Sequence, residues 1–270
     1  MKTKLLAAGL LTSLTLTGCG DSESAGDITV TIAGDITNNT TAPVTDTTDV
    51  VTGLCAAVTE ASFVSFNDDC SQAVVTGTIN TDYSMASGTQ YVLSGVVQVG
   101  LGNKEISSQA EMDLIVSQGV TLTIEPGTDV RGAADGVLLV TRGSKLEAIG
   151  TAAQPITFSS LADENYDGMG EWGGVVIQGF APQYGQGGTG ACFADGESWC
   201  NILGEGGDFV QEYGGNLPAD DSGHIRYVRI AEGGLIAGPN NEINGLTLQG
   251  VGYGTEIEYV QVHGNQDDGI

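Results

Sequence analysis

Asp267 and Asp268 stand side by side in the segment Asn265-Gln266-Asp267-Asp268-Gly269-Ile270, directly after a strand-like run. Adjacent carboxylates of this kind can share acid and base roles at a glycosidic bond, provided the carboxyl groups leave room for a water. They can also supply hard oxygen ligands to calcium, or simply turn a solvated corner. Three further acidic sets offer the same oxygen chemistry: Asp163 and Glu164 with Asp167, Glu205 with Asp208, and Asp220 with Asp221. None has the spacing of a helix–loop–helix calcium loop or a calcium-binding nonapeptide repeat, so Asp163, Asp167, Asp220 and Asp221 are candidate calcium ligands on charge alone. His224 and His263 are the two histidines, and with these cysteine spacings they make no zinc site. An aromatic set (Trp172, Tyr184, Phe193, Trp199 and Tyr213) offers either a carbohydrate-stacking face or a cover for the core edge.

The front of the chain carries different chemistry. Lys2 and Lys4 precede the apolar run 5–16, which is too short to span a bilayer and reads as a secretory signal. It closes on Leu16-Thr17-Gly18-Cys19, which resembles the lipobox of bacterial lipoproteins. The resemblance implies cleavage after residue 18 and acylation of Cys19, with the lipid bilayer as partner. More than one chain is needed for a stable anchor. The expected location is the cell envelope, held at the outer membrane on its periplasmic or outer side.

The formal net charge is −26, and loss of Lys2 and Lys4 with the leader makes the mature chain two units more negative. That excludes nucleic acid as a partner and disfavours polyanions unless divalent cations bridge them. After Cys19 there remain Cys55, Cys70, Cys192 and Cys200, an even number in an exported chain. Three pairings are possible, and proximity favours Cys55 with Cys70 and Cys192 with Cys200.

The elements that must position these groups follow from patterning. Residues 19–53 are rich in Thr, Asp and Gly, without aromatics, and read as a flexible acidic tether; a small β-module on the Asp-Ile-Thr-Val-Thr-Ile alternation is the alternative. Residues 54–90 read as an N-terminal cap, with a short helix as one option between Cys55 and Cys70. From 91 to 270 short β-rich runs alternate with glycines. Strands are expected at 91–99, 121–124, 137–141, 145–149, 156–158, 174–178, 224–230, 245–249 and 255–262. No amphipathic helix of ten or more residues is expected among them.

Two echoes stand out. Ile225, Tyr227, Val228 and Ile230 return as Ile257, Tyr259, Val260 and Val262, each shifted by 32; Gly174-Val175-Val176-Ile177-Gln178-Gly179 returns as Gly245-Leu246-Thr247-Leu248-Gln249-Gly250. Short strands, the 42 glycines and imperfect repeats point to an all-β chain coiled as a right-handed parallel β-helix, and a β-sandwich fits the turn signals less well. The stretch of about 180–220 is a loop insertion, and loops on a rigid solenoid are where recognition is expected.

The segments TLTIEPGTDVRG, LLVTRGSKLEAIGTAAQPITFSS, EWGGVVIQG, DDSGHIRYVRI and NEINGLTLQGVGYGTEIEYVQVHGNQDDGI resemble a family of bacterial lipoproteins with a parallel β-helix. The family occurs in marine gamma-proteobacteria and Bacteroidetes, with relatives among leptospiral outer-membrane lipoproteins. The resemblance implies a lipid anchor, a tether and a β-helix with no assigned reaction. Its members continue past this point with further rungs, which implies a β-helix truncated at its C-terminal end. Gln266-Asp267-Asp268 also resembles the catalytic segment of polygalacturonase-type hydrolases, but Leu246 stands where that family places a third carboxylate. The expected function is therefore a binding or structural role toward a glycan or surface protein, without catalysis and with no cofactor beyond calcium. A polysaccharide hydrolase or lyase is the alternative.

Overall fold

The alternation of Val, Ile and Leu with polar residues makes strands that are mostly two to five residues long, each too short to pair stably with one neighbour alone. Stacking solves this. In the computed structural model, which describes residues 55–162, 165–183, 199–206, 208–238 and 241–270, the strands of the coil are repeated from one turn to the next and pair in parallel. The described residues all lie in the compact unit Thr45–Ile270.

The first coil contains β1 (Val64–Phe66), β2 (Gln72–Val75) and β3 (Thr78–Ile79), and the second β4 (Tyr83–Met85), β5 (Gln90–Leu93) and β6 (Val96–Val99). A helix, α1 (Gln109–Ser117), leads to β7 (Thr121–Ile124), β8 (Asp129–Gly132) and β9 (Val137–Val140). The fourth coil is β10 (Lys145–Ile149), β11 (Ile156–Ser160) and β12 (Gly174–Gln178). The chain then leaves the coil for the hairpin β13 (Trp199–Leu203) and β14 (Glu212–Gly215). It re-enters as β15 (Gly223–Ala231), makes the short pair β16 (Ile236–Gly238) and β17 (Asn241–Glu242), and ends in β18 (Leu246–Gln249) and β19 (Glu256–His263).

Three faces result. Face A stacks β4, β7, β10 and the first halves of β15 and β19. Face B stacks β2, β5, β8, β11 and the second halves of β15 and β19. Face C stacks β3, β6, β9, β12 and β18. Each face sends apolar residues inward in columns, among them Met85, Ile124, Ala148, Ile225 and Ile257 from A; Tyr91, Val130, Phe158, Ile230 and Val262 from B; Val97, Leu138, Val175 and Leu246 from C. Nearly all are buried in one core, and each large side chain contributes about 1.5–3 kcal/mol. This is the parallel β-helix expected from the sequence. Both sequence echoes are in fact strands of adjacent coils: Ile225 pairs with Ile257 and Val175 with Leu246.

Several details differ from the expectation. The run 91–99 is two strands, because Gly95 takes a positive φ of 67° and turns the chain from face B to face C. The coil begins at β2, before residue 91, and within Cys55–Cys70 lies β1, which pairs antiparallel with β2 and blunts that edge. The Cys55–Cys70 disulfide is present. Cys200 is also disulfide-bonded, and Cys192 lies outside the described residues. The nine-residue α1 is capped by Ser108, whose side chain accepts from the Glu111 N–H, and it buries Met112 and Ile115. No helix among the described residues is long and apolar enough to cross a membrane.

Candidate functional site

On a β-helix the residues between inward ones point to solvent, and stacking puts them in columns with a repeat of about 4.8 Å. Face A carries the column with the most chemistry: Ser84, Thr123, Glu147, His224 and Glu256, one from each of five successive coils. It spans roughly 19 Å from end to end. His224 Nδ1 lies 2.9 Å and 3.0 Å from the two carboxylate oxygens of Glu147. That hydrogen bond, helped by the charges of Glu147, Glu256 and Asp221, raises the imidazole pKa above its ordinary value against the opposing effect of burial.

Flanking columns are also paired across coils. The Lys145 ammonium bonds to the Asp221 carboxylate, whose other oxygen accepts the Gly223 N–H at 2.9 Å. Burial pushes the Asp221 carboxyl up, but these bonds outweigh it and leave it below the usual range. Arg226 and Glu258 meet at 3.4 Å. At the corner between faces A and B, Tyr227 and Tyr259 stack with ring centroids 4.6 Å apart and planes 3° from parallel. The Arg226 guanidinium lies 5.4 Å and 5.5 Å from the two rings. Both tyrosines hold left-handed backbone, φ 49° and 55°, which is rare for a bulky residue. Tyr259 is 63% exposed. At the other end of face A, Thr59, Asp82, Tyr83, Ser84, Thr121 and Thr123 line a depression of about 510 Å³.

The residues singled out in the sequence fall elsewhere. Asp267 and Asp268 are exposed on the corner after β19, off the face A column. The Gly245 N–H donates to the Asp268 carbonyl at 3.2 Å, so that segment stacks on the previous coil as a corner. Leu246 is fully buried in the face C column, so the place of a third carboxylate is core. Trp172 is also fully buried and donates its indole N–H to the Ala231 carbonyl at 2.7 Å; it cannot stack on a ligand. Trp199 is half-buried against Ile106, Met112, Ile115 and Phe180. Tyr213 is largely buried, with part of its ring at the rim of a 570 Å³ hollow beside Leu248 and Ile257. These aromatics therefore form no common face, and Tyr184 and Phe193 lie outside the described residues.

Asp220 is committed to the fold. It accepts the Phe180 N–H and the Ser222 hydroxyl, both at 2.9 Å, and burial nevertheless raises its pKa. Asp221 is committed to Lys145. Asp167 sits in the segment joining β11 to β12, while Asp163, like Cys19, lies outside the described residues. Among the described residues no three His, Cys, Asp or Glu side chains converge to hold a metal.

The face A residues went unnoticed in the sequence although a signal exists. The 32-residue echo that aligns Tyr227 with Tyr259 also aligns His224 with Glu256 and Arg226 with Glu258, opposite charges in adjacent coils.

Parallel coils around one core, with an outward ladder of paired charges and stacked tyrosines, define a β-helix domain protein. Residues 103–270, well over half of the chain, match the family of pectate-lyase-like β-helix domains, and the chain belongs to that family. Comparison with curated proteins and with solved structures gave no match.

Proposed function

We propose that this protein is a lipid-anchored component of the bacterial cell envelope whose face A binds an extended glycan. The observation that carries the reading is the Tyr227–Tyr259 stack. A non-glycine residue in left-handed backbone costs about 1–2 kcal/mol, and Asn or Gly would fill these corners more cheaply. An exposed Tyr259 stacked on a half-buried Tyr227, both in that conformation on successive coils, argues that the outer ring is used, since a sugar ring packs on an aromatic face while its hydroxyls reach neighbouring carboxylates. The family description, which likens these domains to a polysaccharide lyase, supports the same ligand class.

The cations of face A (Lys145, His224 and Arg226) each have a carboxylate partner, so an anionic polymer meets no free positive charge there. An uncharged chain is the expected ligand. The Lys2 and Lys4 leader and the Leu16-Thr17-Gly18-Cys19 motif support the anchor, and calcium remains a proposed bridge to acidic chains only.

The test is affinity electrophoresis of the mature chain in gels holding soluble β-glucan, xylan, galactomannan or polygalacturonate. Retardation is expected in at least one neutral polymer. Tyr259→Asn should weaken it tenfold or more while changing stability by no more than about 1 kcal/mol, because relief of the backbone offsets the lost stack. Equal retardation of wild type and variant would overturn the site. For the anchor, Cys19→Ser should move the protein from the membrane to the soluble fraction, and unchanged fractionation refutes lipidation. A hydrolase or lyase is the second reading, favoured by the Glu147–His224 pair, in which the carboxylate fixes the imidazole. It requires release of reducing or unsaturated ends from the retained polymer, abolished by His224→Gln.

A further inference from the structure

We infer that the proton on His224 holds the face A strip together across three coils and makes it pH-responsive. The groups that face this imidazole are acidic on both sides: Glu147 from β10 in the coil before, Glu256 from β19 in the coil after, and Asp221 from its own coil. Lys145 is the nearby cation, and it is committed to Asp221. Thr123 and Ser84 complete the column without charge. The imidazolium is therefore the one positive charge that the Glu147–Glu256 pair has between them in this column. When it is lost, two carboxylates about two strand spacings apart face a neutral ring.

The consequence falls on β19. Its first half pairs with β15 and carries Glu256, Glu258 and Tyr259, the outer half of the stacked platform. The sign of the effect follows from the partner. Glu147 favours the protonated ring in the folded state, so this contribution is complete below the unfolded histidine value of about 6.5 and disappears as pH rises through the higher folded value.

The inference rests on the glycan reading only for its binding arm. In the full mature chain, NMR titration should place the His224 ring above the ordinary histidine value. Amide exchange over Ile257–Val260, corrected for its intrinsic pH dependence, should accelerate several-fold across that titration in the wild type and not in His224→Gln. Retardation by the neutral polymer should fall over the same range. A His224 titration at or below the ordinary value, or β19 exchange that His224→Gln leaves equally pH-dependent, would overturn the inference. Absence of retardation at every pH would instead overturn the glycan reading, and the exchange measurement would still decide the role of His224. If the polymer binds with a flat pH profile while β19 loosens, the proton governs the strand and not the ligand, which refutes pH-responsive binding.

Discussion

Arg142→Ala is expected to lower unfolding stability by about 3–5 kcal/mol and to release the loops that cover face C. Arg142 occupies the four-residue corner between β9 and β10, and its side chain is fully buried. Its Nε–H donates to the Gly102 carbonyl at 2.8 Å, one Nη to the carbonyls of Cys200 and Gly214 at 2.6 Å and 3.0 Å, and the other to Lys104 at 2.6 Å. The guanidinium also lies 5.5 Å from the Phe180 ring. One residue thus ties the excursion before α1 and both strands of the β13–β14 hairpin to the coil. Hydrogen bonds from a charged donor contribute about 1.5–3 kcal/mol each, and removing the donor leaves buried carbonyls unpaired. Burial pushes the guanidinium pKa down to about 10, partly resisted by the Glu212 carboxylate, so it stays charged at neutral pH. Lysine should recover less than half of the loss, because one ammonium cannot reach carbonyls spread around a planar fork. Urea unfolding and limited proteolysis at 101–106 and 199–215 measure both effects. A shift below 1 kcal/mol with unchanged cleavage would show that the loops hold themselves.

The fold was legible in the sequence because a solenoid writes its stacking into repeats. The shift of 32 between HIRYVRI and EIEYVQV is the pairing register itself. What escaped was whatever lacked a local signature. Strand β8 has a single large inward side chain, Val130, between Asp129 and Arg131, so its four residues read as polar loop. Helix α1 is nine residues long, and its Ser108–Glu111 cap was the available sign.

Face A was hidden for a different reason. Glu147 and His224 are 77 residues apart and meet only because the long excursion after β12 returns to the coil one rung later. Pairing within a repeat could be read from the text, whereas pairing across an insertion needed the three-dimensional stack. The Asp267-Asp268 doublet, conspicuous in the sequence, is a corner.

Trp172→Ala is expected to cost about 3–5 kcal/mol and to leave glycan binding per folded molecule unchanged, opposite to what an exposed stacking residue would do. Of the two roles the sequence left open for this residue, a stacking face or a cover for the core, its burial fits the second. Glycines beside a tryptophan suggest an exposed loop, but here a glycine on the opposing strand lets the ring in. A Cβ on Gly132 would run into the Trp172 indole, so only a residue without one permits this packing. The indole N–H bonds the Ala231 carbonyl, joining the segment before β12 to the end of β15, and the ring belongs to the main core. Deleting it opens a large cavity and unpairs a buried carbonyl. Gly132→Val should destabilise to a similar degree from the other side of the same contact. Because Trp172 and Trp199 are the two tryptophans, Trp199→Phe isolates the buried indole, whose emission should be blue-shifted and indifferent to saturating polymer. Normal stability with lost binding in Trp172→Ala would return this residue to the ligand, and the face A assignment would fall with it.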